Sequence, residues 1–218
     1  MPKAAIVDID GTLVDSNELH VQAWREVFRR YGKDVPARLI RPQMGKGGDQ
    51  LMPVFWSSAE LQKFGGEMQD LRVRIFVEKY LPQARPFPGV RRLFERLRRE
   101  GVRIALATSA REAELEHHLR TLRVGDLVEG VTSADDADCS KPCPDILEAA
   151  LDRLPGVAAS EAFLVGDSPY DGQAAARAGM SFVGVLTGGF SAQELRRSGA
   201  LGVYRDVAEL AEKYEAWT

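Results

Sequence analysis

Short apolar runs alternate with amphipathic stretches along most of this chain, and that alternation narrows the possible folds more than any other feature. The runs are AAIVDI (residues 4–9), VRIALAT (102–108), LVEGVTS (127–133), AFLVGD (162–167) and SFVGVLT (181–187). Each has the length and composition of a buried strand. Between them, PGVRRLFERLRRE (88–100) keeps Val90, Leu93, Phe94 and Leu97 on one helical face, and AELEHHLRTL (113–122) and PDILEAALDRL (144–154) repeat that period. Strands alternating with helices predict an α/β fold with a doubly wound parallel sheet covered on both faces. Ligands of such sheets bind at the carboxyl ends of the strands.

One region departs from the pattern. Residues 16–85 contain no convincing strand. ELHVQAWREVFRRYG (18–32) reads as a helix stopped by Gly32, and SSAELQKFGGEMQDLRVRIFVEKYL (57–81) as one or two helices interrupted at Gly65-Gly66. PQARPFPG (82–89), rich in proline, closes the segment as a linker. The expected organisation is a core from residues 1–15 and 86–218 with an all-helical insertion, 16–85.

Composition excludes several functions. Of 218 residues 44% are hydrophobic and 28% charged, with a formal net charge of −3, so neither nucleic acid nor an anionic membrane is the expected partner. No apolar run reaches membrane-spanning length, and Met1-Pro2-Lys3 leads directly into the first strand, so a cytoplasmic location is expected. Cys139 and Cys143 flank Lys141; two thiols without a further Cys or nearby His do not make a zinc site, and reduced thiols are expected.

The strands end on chemistry-bearing residues. The first runs into Asp8, with Asp10 two residues on; the second ends at Thr108-Ser109; the fourth ends at Asp167, with Asp171 where a helix should begin; and Lys141 precedes another helix. A parallel sheet gathers these ends at one rim. Carboxylates crowded there repel one another unless a divalent cation is bound, and an oxygen-only ligand set suits Mg²⁺ shared with a substrate phosphate. Lys141 and the hydroxyls then hold phosphate oxygens. In an extended chain residues two apart point the same way, so Asp8 can attack a phosphorus while Asp10 exchanges a proton with the leaving oxygen. Gly11 lets the chain turn, and Thr12 can brace the turn.

In these residues the chain resembles the haloacid dehalogenase superfamily. DIDGT (Asp8, Asp10), ALATS (Thr108, Ser109), SKPCPDI (Lys141) and VGDSPYD (Asp167, Asp171) match four motifs in order, and the helical insertion resembles the family's cap. The resemblance implies a nucleophile at Asp8 forming an aspartyl-phosphate, a general acid and base at Asp10, and phosphoryl contacts from Thr108, Ser109 and Lys141. It further implies Mg²⁺ held by Asp8, the carbonyl of Asp10 and Asp167, with Asp171 acting through water or from behind. The expected reaction is hydrolysis of a small phosphorylated metabolite such as phosphoglycolate or a sugar phosphate, by a monomer or homodimer. A sugar phosphomutase is the nearest alternative. A dehalogenase would need no acid at Asp10, and a phospho-ligand sensor would be expected to have lost one of the motif residues.

Other residues have competing readings. Thr108 suits the N-cap of the following helix as well as a phosphate contact. Asp171 suits the first turn of a helix. His20 suits packing at the cap interface, with substrate contact as the alternative, and Lys46 in MGKGGDQL (44–51) is the candidate cap contact to substrate. His117 and His118 lie mid-helix, away from the motifs, with no chemistry assigned.

Overall fold

The computed structural model describes residues 2–214. Strand β1 (Ala4–Val7) is followed by a turn and the two-residue strand β2 (Val14–Asp15). Helices α1 (Asn17–Arg30), α2 (Ala37–Ile40), α3 (Gly48–Leu51) and α4 (Ser58–Ile75) come next, and α4 runs on into a π-helical turn, Phe76–Tyr80. Strand β3 (Arg85–Pro86) then pairs antiparallel with β2, so the chain leaves and re-enters the sheet-bearing part at adjacent points. The remainder alternates: α5 (Val90–Arg99), β4 (Arg103–Ala107), α6 (Glu112–Leu122), β5 (Gly130–Thr132), α7 (Asp145–Asp152), β6 (Ala162–Gly166), α8 (Pro169–Arg177), β7 (Ser181–Val185), α9 (Ala192–Arg197), β8 (Ala200–Tyr204) and α10 (Val207–Lys213).

Six strands form one parallel sheet in the order β5-β4-β1-β6-β7-β8. Side chains alternate across it, and both faces are buried. Ala5, Val7, Leu106 and Val165 pack with Leu93, Phe94 and Leu97 of α5 and Leu210 of α10. Ala4, Ile6, Ala107 and Leu164 pack with Leu147 of α7, Ala175 of α8 and Leu195 of α9. Burial on both faces is why the strands read as unbroken apolar runs. The chain moves outward from β1 in one direction and from β6 in the other, so the switch point lies between these neighbours. Val7 pairs with Leu106 on one side and Val165 on the other, which brings Asp8, Thr108 and Asp167 to the same rim.

Two local expectations need correction. Strand β8 is an addition to the five expected strands. It is a partly exposed edge strand whose apolar run is broken by Gly202. Helix α4 is uninterrupted at Gly65-Gly66. A capping box, Ser57 with Glu60, starts it, and buried Met68, Leu71 and Ile75 anchor it, which outweighs a cost of roughly 1 kcal/mol per glycine.

This continuity has a measurable consequence. A Cβ on Gly66 would meet nothing within 4 Å, and the residue is exposed and helical. Gly66→Ala is expected to raise stability by about 0.5–1 kcal/mol in urea denaturation. A helix broken at this point would give no gain.

Candidate active site

The turn after β1 is built on one carbonyl. Ile9 O accepts from the N–H groups of Thr12 (3.2 Å), Leu13 (2.8 Å) and Val14 (3.0 Å), while the Ile9 side chain is buried. Gly11 sits at φ +82°, and a Cβ there would fall 2.4 Å from Asp167 Oδ2; one on Gly188 would fall 1.7 Å from the same atom. Backbone thus approaches Asp167 from two sides at distances only glycine permits.

Lys141 lies at the centre of the acidic cluster. Its ammonium, 1% exposed, donates to Asp8 Oδ1 at 2.6 Å and Asp171 Oδ1 at 2.7 Å. Thr12 Oγ1 lies 2.9 Å from Asp8 Oδ2 and 3.0 Å from Asp167 Oδ1, bracing the turn as expected. Asn17 Nδ2 donates to Asp167 Oδ2 at 2.9 Å. Asp171 closes a capping box with Ser168 at the start of α8, so it is both a first-turn acid and a partner of Lys141.

Carboxylate oxygens of Asp8, Asp167 and Asp171 lie within 4.8 Å of one another. Burial pushes the Asp8 carboxyl up to about 7, with Lys141 opposing and Asp171 and Asp10 adding to the rise. Burial, then Asp8 and Asp171, pushes Asp167 well above the ordinary carboxylate range. Burial also works against the Lys141 ammonium, but the two carboxylates overcome it and raise its pKa. One ammonium does not balance three buried acids. The donors are hard oxygens without nitrogen or sulfur, so the residues present fit Mg²⁺ or Ca²⁺ and not zinc.

The Asp10 side chain points away from that cluster. Its Oδ1 accepts from Ser16 Oγ at 2.6 Å and lies 3.0 Å from His20 Nε2 and 3.4 Å from His118 Nε2; its Oδ2 accepts from Thr108 Oγ1 at 3.2 Å. Burial works against ionisation of Asp10, but His118 and His20 outweigh it and hold the carboxyl well below its ordinary value. Burial likewise lowers the pKa of His118, and the neighbouring Asp10 carboxylate more than reverses this. Two readings change here. His118 is at the site, because α6 crosses the rim after Thr108 and its second turn brings His118 to Asp10. Thr108 is not the N-cap of α6, a position held by Arg111; Thr108 instead accepts from Ala110 N at 3.0 Å.

A cavity of about 40 Å³, room for a few waters, lies above these groups. Asp8, Asp10, Thr108 and Ser109 line it from the sheet side, and His20, Trp24, Lys46 and Arg72 from the helical segment. Lys46 donates to Gln43 Oε1 at 2.7 Å and lies 4.6 Å from the centre of the Tyr170 ring. Burial lowers its pKa. His20 stacks on Phe76 at 3.8 Å, so it both packs at the interface and reaches Asp10. Arg72 and Asn17 escaped the sequence reading. Arg72 looks like one more exposed helix cation, yet it is 7% exposed and forms an ion pair with fully buried Glu114 of α6. Only the Asn17 position beside the DIDGT motif hinted at its role. Cys139 and Cys143 are joined in a disulfide, contrary to the expected free thiols. The turn closed by Cys143 N donating to Ser140 O (3.1 Å) brings their Cα atoms to 5.7 Å, within bridging range.

This rim of acids around one lysine, at the switch point of a parallel sheet, marks a hydrolase of a known type. Residues 5–185 match the family model described as haloacid dehalogenase-like hydrolase. The chain belongs to that family. It is similar to a phosphoglycolate phosphatase of Rhodospirillum rubrum, 32% identical over 97% of this chain and 90% of the relative. It is also similar to a phosphorylated carbohydrates phosphatase of Thermotoga maritima, 28% identical over 93% and 94%. The crystal structure of a hydrolase from Pseudomonas syringae matches with a TM-score of 0.85 at 28% identity, covering 97% of each chain.

The Arg72–Glu114 pair joins the helical segment to the sheet-bearing part, and its burial sets its energetics. Glu114→Ala leaves a buried guanidinium unpaired and is expected to cost about 3–5 kcal/mol. The double replacement Arg72→Met/Glu114→Leu should recover most of that loss in thermal and urea unfolding. Additive losses would mean the pair is not coupled.

Proposed function

We propose that this protein is a Mg²⁺-dependent phosphatase that hydrolyses a small phosphorylated metabolite through an aspartyl-phosphate on Asp8. The observation that carries the proposal is the separation of two carboxylates at one cavity. Asp8 is held by Lys141 and Thr12, and Asp10 by an independent set, Ser16, His20, Thr108 and His118. Two acids in different environments can take different roles. The phosphatases among the relatives support phosphate monoesters as the substrate class.

In the first half-reaction an Asp8 oxygen attacks phosphorus and the P–O bond to the leaving group breaks, its electron pair leaving with that oxygen. Asp10 protonates the departing alkoxide. A phosphate dianion entering beside Asp10 opposes its ionisation, which favours the protonated form this step needs. In the second half a water attacks the phosphorus of the aspartyl-phosphate, Asp10 accepts its proton, and the Asp8 carboxylate is regenerated with release of inorganic phosphate. Lys141, Thr108 and Ser109 hold phosphoryl oxygens and keep Asp8 aimed. Mg²⁺, held by Asp8, the Asp10 carbonyl and Asp167 with Asp171 behind, would supply positive charge against the phosphoryl oxygens.

The helical segment 16–85 serves as a cap on the core formed by 1–15 and 86–218. Its side chains line the cavity opposite the core motifs, a position from which it can open to admit substrate and close to exclude water. Lys46 and His20 are its candidate contacts to the leaving group, phosphoglycolate or a sugar phosphate being the candidate substrates. No helix among the described residues is long and apolar enough to cross a membrane, which accords with work on a dissolved metabolite.

Two outcomes test this account. Mg²⁺ is expected to raise the melting temperature of chelator-treated protein as well as to restore phosphate release, because it binds the folded cluster alone. Activity that persists after thorough chelation would remove the metal from the reaction. Asp8→Asn should reduce turnover to background. In kcat/KM, which reports the first half-reaction, Asp10→Asn should lose about two to four decades on an alkyl phosphate and clearly less on p-nitrophenyl phosphate, whose leaving group needs no proton. Equal losses on the two substrates would take the acid role from Asp10.

A further inference from the structure

We propose that His118 is a positioning residue for Asp10, holding the general acid in place from the core side while the cap is open. The proposal rests on the phosphatase reading and adds to it a residue that none of the four motifs contains.

The imidazole of His118 is fully buried. A polar ring taken out of water is normally retained with a partner. Neither ring nitrogen has a hydrogen-bond partner among the described residues, and the Asp10 carboxylate lies at ion-pair distance, 3.4 Å from Nε2. Glu114, one turn earlier on α6, faces the same side; its Oε1 is engaged by Arg72, and its Oε2 makes no hydrogen bond to the ring. Asp10 is therefore the one carboxylate at ion-pair distance from the ring among the described residues.

The groups around Asp10 come from two parts of the molecule. His20 reaches Oδ1 from α1, and Ser16 reaches it from the start of the helical segment. Thr108 and His118 come from β4 and α6, on the sheet side. In the cap opening proposed above, α1 withdraws as substrate enters and takes His20 with it. Thr108 and His118 remain. His118 thus keeps the carboxylate from rotating away and lets closure restore the His20 contact to a preset acid. A group held within a fraction of an ångström of its working position is what makes general-acid catalysis efficient.

The test separates positioning from folding and from the basic chemistry. His118→Leu and His118→Met keep the volume and lose the nitrogen donor; both are made, so that failure of one to fold leaves the other. His118→Gln keeps an N–H near the Nε2 position. The expected result for the apolar variants is a kcat/KM on alkyl phosphates, which reports the first half-reaction, lowered by roughly ten- to a hundredfold, part of the ~10²–10⁴ that a placed general acid supplies. The loss on p-nitrophenyl phosphate should be under about threefold, KM should hardly change, and His118→Gln should recover most of the activity. Equal losses on both kinds of leaving group, no loss on either, or a Gln variant no better than Leu would each overturn the proposal. Asp8→Asn is run alongside. Activity that survives Asp8→Asn overturns the phosphatase reading itself, which keeps that failure distinct from a failure of the His118 assignment.

Discussion

A single buried ammonium organises the rim. Lys141 holds Asp8 and Asp171 at hydrogen-bond distance, with Asp167 beside them and water excluded. Removing Lys141 would leave the acids uncompensated in a medium where that is costly. The sheet is arranged to bring them together: β1 and β6 are neighbours at the switch point, and equal register on both sides of Val7 sets Asp8 and Asp167 side by side. The excess of carboxylate over ammonium is the feature on which the proposed divalent cation rests.

Asp10 obeys different physics two residues away. It leaves the cluster because the chain turns on Ile9 O, and it meets two histidines instead of a lysine. One histidine is carried by the helical segment and the other by the core. Displacement of the helical segment would therefore change the surroundings of Asp10, whereas Lys141 and Thr12 beside Asp8 belong to the sheet-bearing part. Lys46 over Tyr170, Arg72 with Glu114 and Asn17 on Asp167 link the two parts further.

What could be read from the sequence was what depends on local pattern. Buried parallel strands announce themselves as apolar runs, and acids at strand ends must converge when the sheet is parallel, so Asp8, Lys141, Asp167 and Asp171 were legible before the fold was known. Features that depend on distant partners were not. Nothing local marks His118 as facing Asp10, since the two are brought together only by the path of α6 over the rim. Arg72 looks solvent-bound until Glu114 covers it. Gly65-Gly66 looks like a break because propensity is local, whereas the packing of Met68 and Leu71 that sustains the helix is not. Strand β8 lies at an edge, partly exposed, and lacks the burial that makes its neighbours conspicuous. The disulfide depends on how tightly one turn closes, which two cysteines four residues apart do not reveal.

The central claim is that Asp8 is phosphorylated during turnover. Rapid acid quenching during hydrolysis of a good phosphate ester, followed by borohydride reduction, converts an acyl-phosphate to an alcohol and so marks the aspartate that carried it. The account predicts homoserine at residue 8 in the peptide mass spectrum, with none at residue 10 and none in enzyme quenched without substrate. An unmodified Asp8 under conditions of active turnover, or homoserine at Asp10 instead, would contradict it.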